Sequence, residues 1–231
     1  MSLTALTLVI NIRPSVRLPL QCYSTTKNYI IMVRALCILI IAFIIGPLTT
    51  IAQATYEVTS SKMTIAGTSN LHDWESNVTK INASGDVTMD GNTLKAINNL
   101  TVTIPVSGIK SSKGSIMDRR TYSALKSDQY ANITYKLSKV TAIEKSGADY
   151  TLKTSGSLTV AGVAKTISMD VKGKVLSDGS LQFEGARKIK MTDHGIDPPT
   201  ALMGTMKTGD EITISFSVKM SRSNNSASAG K

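Results

Sequence analysis

The chain has 231 residues, with 26 Lys and Arg against 16 Asp and Glu, a formal net charge of +10. The basic side chains are scattered along the sequence, whereas a nucleic-acid reader gathers them on one face. Both cysteines, Cys22 and Cys37, lie near the amino end.

That amino end reads as an export signal. Met32-Val33-Arg34 is a short basic start, Ala35 to Ile45 is an apolar run, and Ala52-Gln53-Ala54 is a small-x-small cleavage site. The run falls short of the roughly 20 residues that a membrane span needs. The reading is therefore a signal peptide over residues 32–54, cleaved after Ala54, and a periplasmic or secreted mature protein. Residues 1–31 carry no periodicity and read as a misassigned extension ahead of Met32. Cleavage removes both cysteines, so the mature chain has neither a disulfide nor a thiol nucleophile. It also removes four basic residues and no acidic ones, lowering the net charge to +6.

From residue 55 onward the hydropathy alternates, and the alternation predicts eight strands. Side chains of a strand point alternately to opposite faces, so each such stretch has one dry face and one wet face. The strands are expected over Tyr56–Ala66, Trp74–Met89 and Leu94–Ile109, then Ile133–Ile143 and Tyr150–Val160. Val163–Val175, Leu181–Met191 and Asp210–Met220 complete the set. Asp90-Gly91-Asn92, Ser146-Gly147, Ala161-Gly162 and Asp178-Gly179 supply turns. Pro105 has no amide hydrogen and belongs at an irregular spot in the ladder. Between the third and fourth strands, Ser115-Ile116-Met117-Asp118 has the form of a capping box opening a short helix to about Lys126. Short connections favour an up-and-down topology. The expected fold is all-β, an eight-stranded antiparallel barrel over residues 55–220, with the helix as a plug or lid at one end. Residues 221–231 read as a disordered tail.

Such a barrel encloses either packed side chains or one small ligand. The side chains expected on the cavity wall are Trp74, Leu100, Val102, Ile104, Met117, Leu125, Ile133, Tyr135, Leu158, Ile167, Met169, Phe183, Ile214 and Phe216. An aliphatic lining with few large rings suits a flexible hydrocarbon. Lys110 to Asp128 holds five basic residues against two acids, and its Arg119 and Arg120 are candidates for contact with a lipid head group or an anionic membrane surface. Catalytic patterns are scarce. The only histidines, His72 and His194, each adjoin an aspartate but have no metal-ligand spacing. No serine sits in a Gly-x-Ser-x-Gly elbow, and no glycine-rich phosphate loop occurs.

Four segments carry a resemblance that periodicity does not supply: Ser69–Glu75 (SNLHDWE), Gly156–Lys165 (GSLTVAGVAK), Met191–Pro199 (MTDHGIDPP) and Gly209–Ile212 (GDEI). In this order the chain resembles the YceI-like family of exported bacterial proteins over roughly residues 56–220. The resemblance implies a lipocalin-like barrel whose tunnel holds a polyisoprenoid chain, in a family for which catalysis is not established as a common function. The expected ligand is a polyisoprenoid or an isoprenoid quinone, and no cofactor is expected. The double proline after Asp197 departs from the family's commoner pattern and is compatible with a different ligand. Two readings from other classes stand beside the lipid carrier: a metal-dependent enzyme using His72 and His194, and a structural β module with a filled core. The sequence leaves the oligomeric state open.

Overall fold

A computed structural model describes residues 52–201 and 205–223. Among these, alternation produces a closed ring of eight antiparallel strands. In chain order the strands are β1 (Ala52–Ser69), β2 (Trp74–Val78), β3 (Asn82–Asp90), β4 (Thr93–Pro105) and β5 (Ile109–Ser111). An α-helix, α1 (Ser115–Ala124), comes next, followed by β6 (Asn132–Ser146), β7 (Asp149–Val160), β8 (Val163–Val175) and β9 (Leu181–Lys190). The chain then runs through β10 (Thr200–Ala201) to β11 (Met206–Arg222). Around the barrel the order is β11-β9-β8-β7-β6-β4-β3-β1, and a long β1–β11 ladder closes the ring. Strands β2, β5 and β10 are short additions.

Strand β1 needs two partners on one edge. Its first part, Ala52–Glu57, pairs with β3, while Thr64–Gly67 pairs with β2, and β2 in turn pairs with β5. The stretch expected as one strand, Trp74–Met89, is therefore two. Thr79 leaves the ladder because its amide and its hydroxyl both donate to the Gly108 carbonyl, at 2.8 and 2.9 Å. Leu94–Ile109 is likewise divided. Pro105 ends β4, and Val106–Gly108 form one 3-10 turn whose first amide donates to the Ala131 carbonyl.

Three boundaries differ from expectation. Strand β1 begins at Ala52, and Ala54 is buried opposite Val87, so the barrel extends ahead of Thr55. Strand β11 continues through Ser221 and Arg222, which pair with Glu57 and Tyr56, so the expected tail is partly strand. The rest of that tail, 224–231, and the leader and signal segments up to residue 51 lie outside the described residues. At α1 the N-cap is Gly114, not Ser115, and no side chain caps the helix. The Asp118 carboxylate reaches back to the Ser111 amide, 2.7 Å away, and pairs with Lys110 at 3.6 Å, so the capping box does not form.

The β7–β8 hairpin shows how tightly some turns are specified. Ala161 (φ 47°) and Gly162 (φ 80°) form the two-residue turn with both central φ angles positive, the form that matches strand twist. A Cβ on Gly162 would lie 2.5 Å from the Tyr130 ring, so glycine is required there twice over.

Two carboxylates fasten the later strands. Asp178, in the β8–β9 turn, accepts from Lys219 on β11 at 2.8 Å and from the amide and hydroxyl of Ser180. Lys219, then Ser180, hold its carboxyl far below the ordinary aspartate range. Asp210 accepts from the hydroxyl and amide of Thr192, at 2.7 and 2.9 Å, which lower its pKa as well. Groups depressed on folding contribute stability above their unfolded pKa, about 3.9 for aspartate, and that contribution is lost as pH falls through the folded value. Thermal denaturation followed by circular dichroism should thus give a midpoint that is flat from pH 7 to about 5 and falls below about pH 4. Asp210→Asn should lower the midpoint at pH 7 and make the acid decline shallower; an unchanged acid slope would remove Asp210 from this account.

Candidate ligand cavity

Inside the ring the apolar side chains do not close on one another. They pack into three groups. One, around Val87, Leu94, Leu152 and Leu181, fills one end of the barrel. The other two, around Leu158, Met191 and Ile196 and around Met63, Val78 and Ile109, surround the end where α1 lies. Between them is a cavity of about 510 Å³. All fourteen side chains expected on the wall line it: Trp74 from β2, Leu100, Val102 and Ile104 from β4, and Met117 and Leu125 from and just after α1. Ile133 and Tyr135 come from β6, Leu158 from β7, Ile167 and Met169 from β8, Phe183 from β9, and Ile214 and Phe216 from β11. The period of two explains the agreement. Once one residue of a strand faces inward, every second residue does.

The helix end carries most of the polar lining, including Ser69, His72, Lys113, Arg120 and Thr208. Of the basic residues expected to form an open mouth, most are engaged. Arg120 donates to the Thr200 carbonyl at 3.0 Å, and Lys126 to the Gly195 carbonyl at 3.5 Å. Lys110 donates to the Tyr122 hydroxyl at 2.7 Å, and that bond, ahead of the nearby Asp118, raises the lysine pKa. Lys113 and Arg119 have no side-chain partner among the described residues, and Arg119, exposed on α1, is not on the cavity wall. Two exposed apolar side chains adjoin this rim in sequence, Leu71 beside His72 and Ile116 beside Met117.

Both histidines reach the wall, yet each is occupied structurally. His194 is 2% exposed and places Nδ1 3.1 Å from the Val163 carbonyl, so that nitrogen carries the proton. The exposed His72 has Nδ1 3.0 Å from the Asp73 carbonyl in a tight loop organised by the Ser69 hydroxyl. Among the described residues no three His, Cys, Asp or Glu side chains gather closely enough to hold a metal ion.

Along β6, β7 and β9 three polar groups, Tyr135, Thr154 and the exposed Arg187, interrupt the hydrocarbon wall. Tyr135 projects over Gly156, where a Cβ would lie 2.5 Å from the ring and hydroxyl. Its hydroxyl is buried without a hydrogen-bond partner. Thr154 donates its own proton to the Met169 carbonyl, and burial outweighs its neighbouring hydroxyl in pushing the tyrosine pKa up. Arg187 is the third, and sequence reasoning missed it. The signal was present, because Arg187 lies two residues from Gly185 and from the inward Ile189, on the cavity face of β9.

Comparisons with known proteins agree with this architecture. The chain resembles BcnA of Burkholderia cenocepacia with 21% identity and a TM-score of 0.53, over 69% of this chain and 95% of that one. It also resembles a polyisoprenoid binding domain from Saccharophagus degradans, with 13% identity and a TM-score of 0.57, over 75% of this chain and 100% of that one. At these identities the likeness concerns the fold. No curated protein sequence matches the chain. The sequence model of the YceI-like domain matches residues 50–220, and on that match the chain belongs to the YceI-like family.

Proposed function

We propose that this protein is a non-catalytic carrier that holds a long apolar chain, a polyisoprenoid or the tail of an isoprenoid quinone, inside the barrel. The observation that carries the reading is the cavity: a space inside the barrel with largely apolar walls drawn from all eight ring strands, from β2 and β5 and from the helix region, where a filled core would have none. Its volume falls within the usual range of small-molecule sites. Each methylene moved from water into such a space contributes about 0.8 kcal/mol before ordering costs, so a long prenyl chain binds without a charge contact. The polyisoprenoid-binding neighbour from Saccharophagus degradans supports the same chemistry. We further propose export after cleavage at Ala54, and loading or release at an anionic membrane surface through Lys113, Arg119, Leu71 and Ile116. Among the described residues neither histidine belongs to a metal-ligand cluster.

Mass spectrometry of an organic extract of the purified protein should show a co-purifying isoprenoid. A clean extract, together with failure to bind added prenyl alcohols, would leave a β module with no cargo. Ile214 lines the cavity while Ser215 alternates to the other face. Ile214→Asp buries a charge without a partner, which costs several kcal/mol, and should abolish co-purification or folding. Ser215→Asp should be tolerated. Met169→Ala should change which chain length co-purifies, and should cost less than the roughly 2–5 kcal/mol of a packed-core truncation.

The rim is tested by Lys113→Glu combined with Arg119→Glu. Exposed charges contribute little to stability. The double variant should keep the wild-type melting temperature yet sediment less with vesicles containing anionic lipid, and added salt should weaken wild-type binding. Salt-independent binding, equal in both proteins, would refute the basic rim.

Amino-terminal sequencing of the protein recovered from the cell envelope should begin at Thr55. That start removes the pairs Ala52 to Ala54 make with β3, so a chain from Thr55 should be less stable by about 1 kcal/mol than one from Thr50. A mature chain retaining the apolar run would replace the soluble carrier with a tethered one.

A further inference from the structure

The barrel wall is not continuous. Strands β8 and β9 are laddered only from Lys172–Glu184 to Val175–Leu181. Beyond that point β8 pairs only with β7 and β9 only with β11, so their facing edges carry no ladder. The gap runs for about 20 Å, the length of the six residue steps from Glu184 to Lys190. Its far end is clasped by His194 on the Val163 carbonyl, at 3.1 Å. A second stretch of wall, between the first half of β4 and the second half of β6, also lacks a ladder, but there Leu94, Ile97 and Tyr150 pack into the core. Beside the β8–β9 gap the core does not close in the same way. Ser168, Asp170, Ala186 and Arg187 beside it are exposed.

We propose that Arg187, set in this gap, binds the oxyanion head, phosphate or carboxylate, of an amphiphile whose chain lies in the cavity. The inference rests on the carrier reading and deepens it. Arg187 lines the cavity and also an outer groove along the gap, as do Thr154 and Met169, so this stretch of wall has both an inner and an outer face. Among the described residues its guanidinium has neither an ion pair nor a hydrogen bond, unlike Arg120 at the rim, which is spent on Thr200. The outer groove adds Lys139 and Lys153 against one carboxylate, Asp170, which Lys153 already engages at 3.8 Å. A surplus of positive charge along a cleft concentrates anions there. Inside, the Tyr135 hydroxyl is buried and makes no hydrogen bond of good geometry. A planar guanidinium offers an oxyanion two parallel hydrogen bonds. The chain would then lie along the aliphatic cavity, with its head at the side of the barrel and not at the helix end.

The test compares three probes, farnesyl phosphate, farnesol and inorganic phosphate, on delipidated full-length protein by titration calorimetry. Wild type should bind farnesyl phosphate at least about tenfold more tightly than farnesol, a difference of about 1.4 kcal/mol. Arg187→Gln should erase that difference by weakening farnesyl phosphate binding about tenfold with the melting temperature kept, and Arg187→Lys should keep part of it. A phosphate preference that survives Arg187→Gln would overturn the assignment. Inorganic phosphate that displaces farnesyl phosphate at equal concentration would also overturn it, marking a free-anion site. Failure of wild type to bind farnesol at all is a separate result, because it removes the carrier reading on which the assignment rests.

Discussion

Everything in this molecule depends on the hydrogen-bonded ladder between its first and last strands. From Tyr56 opposite Arg222 to Ser69 opposite Thr208, β1 and β11 cover each other's exposed edges. An open sheet of this size would present two unpaired edges, each a template for aggregation. Closure also fixes the faces. Met63 opposite Phe216 and Ile65 opposite Ile214 must both turn inward, and a register slip of one residue would turn both out. The cavity is therefore a property of the closed ring and belongs to no single strand.

The segments that carry the family resemblance turn out to be fasteners. The Asn70 side chain accepts from the Lys207 amide and donates to the Thr205 carbonyl, fixing the loop after β1 to the start of β11. Thr192 is held by Asp210, joining the third segment to the fourth, and His194 on Val163 joins it to the second. All of these bonds lie toward the helix end of the barrel. Residues of kinds often found in catalytic sites are here used for the geometry of a rim. Such positions are hard to replace because each satisfies a partner distant in sequence, which needs no chemistry to explain.

Much of the fold could be read from the chain because a half-buried strand repeats its chemistry every second residue. That one rule placed Ile214 and Phe216, Ile167 and Met169, and Leu100 to Ile104 on the wall. What it missed depended on distant partners. Thr79 leaves the ladder for the carbonyl of Gly108, and no local pattern announces that bond. The apparent capping box at Ser115 gave way because Asp118 found a better donor in Ser111. Arg187 was overlooked for a different reason. Its strand shows the right period, but a charge at an inward position carries no apolar signal, and the break in the ladder beside it permits a cation there.

The closing ladder also constrains how the chain reaches its native state. The Ser223 hydroxyl meets Glu57 across 166 residues of sequence, close to the whole length of the barrel domain. Bringing such distant segments together carries a loop-closure cost that local contacts cannot offset early, and topologies of this kind fold slowly. During synthesis β11 is also the last strand to emerge, so every earlier moment leaves β1 and β9 each with a bare edge. Hairpins such as β6–β7 and β7–β8 can form as they appear, but the container does not exist until its final strand arrives. A ligand held in the interior is therefore acquired during the last step of folding or after it.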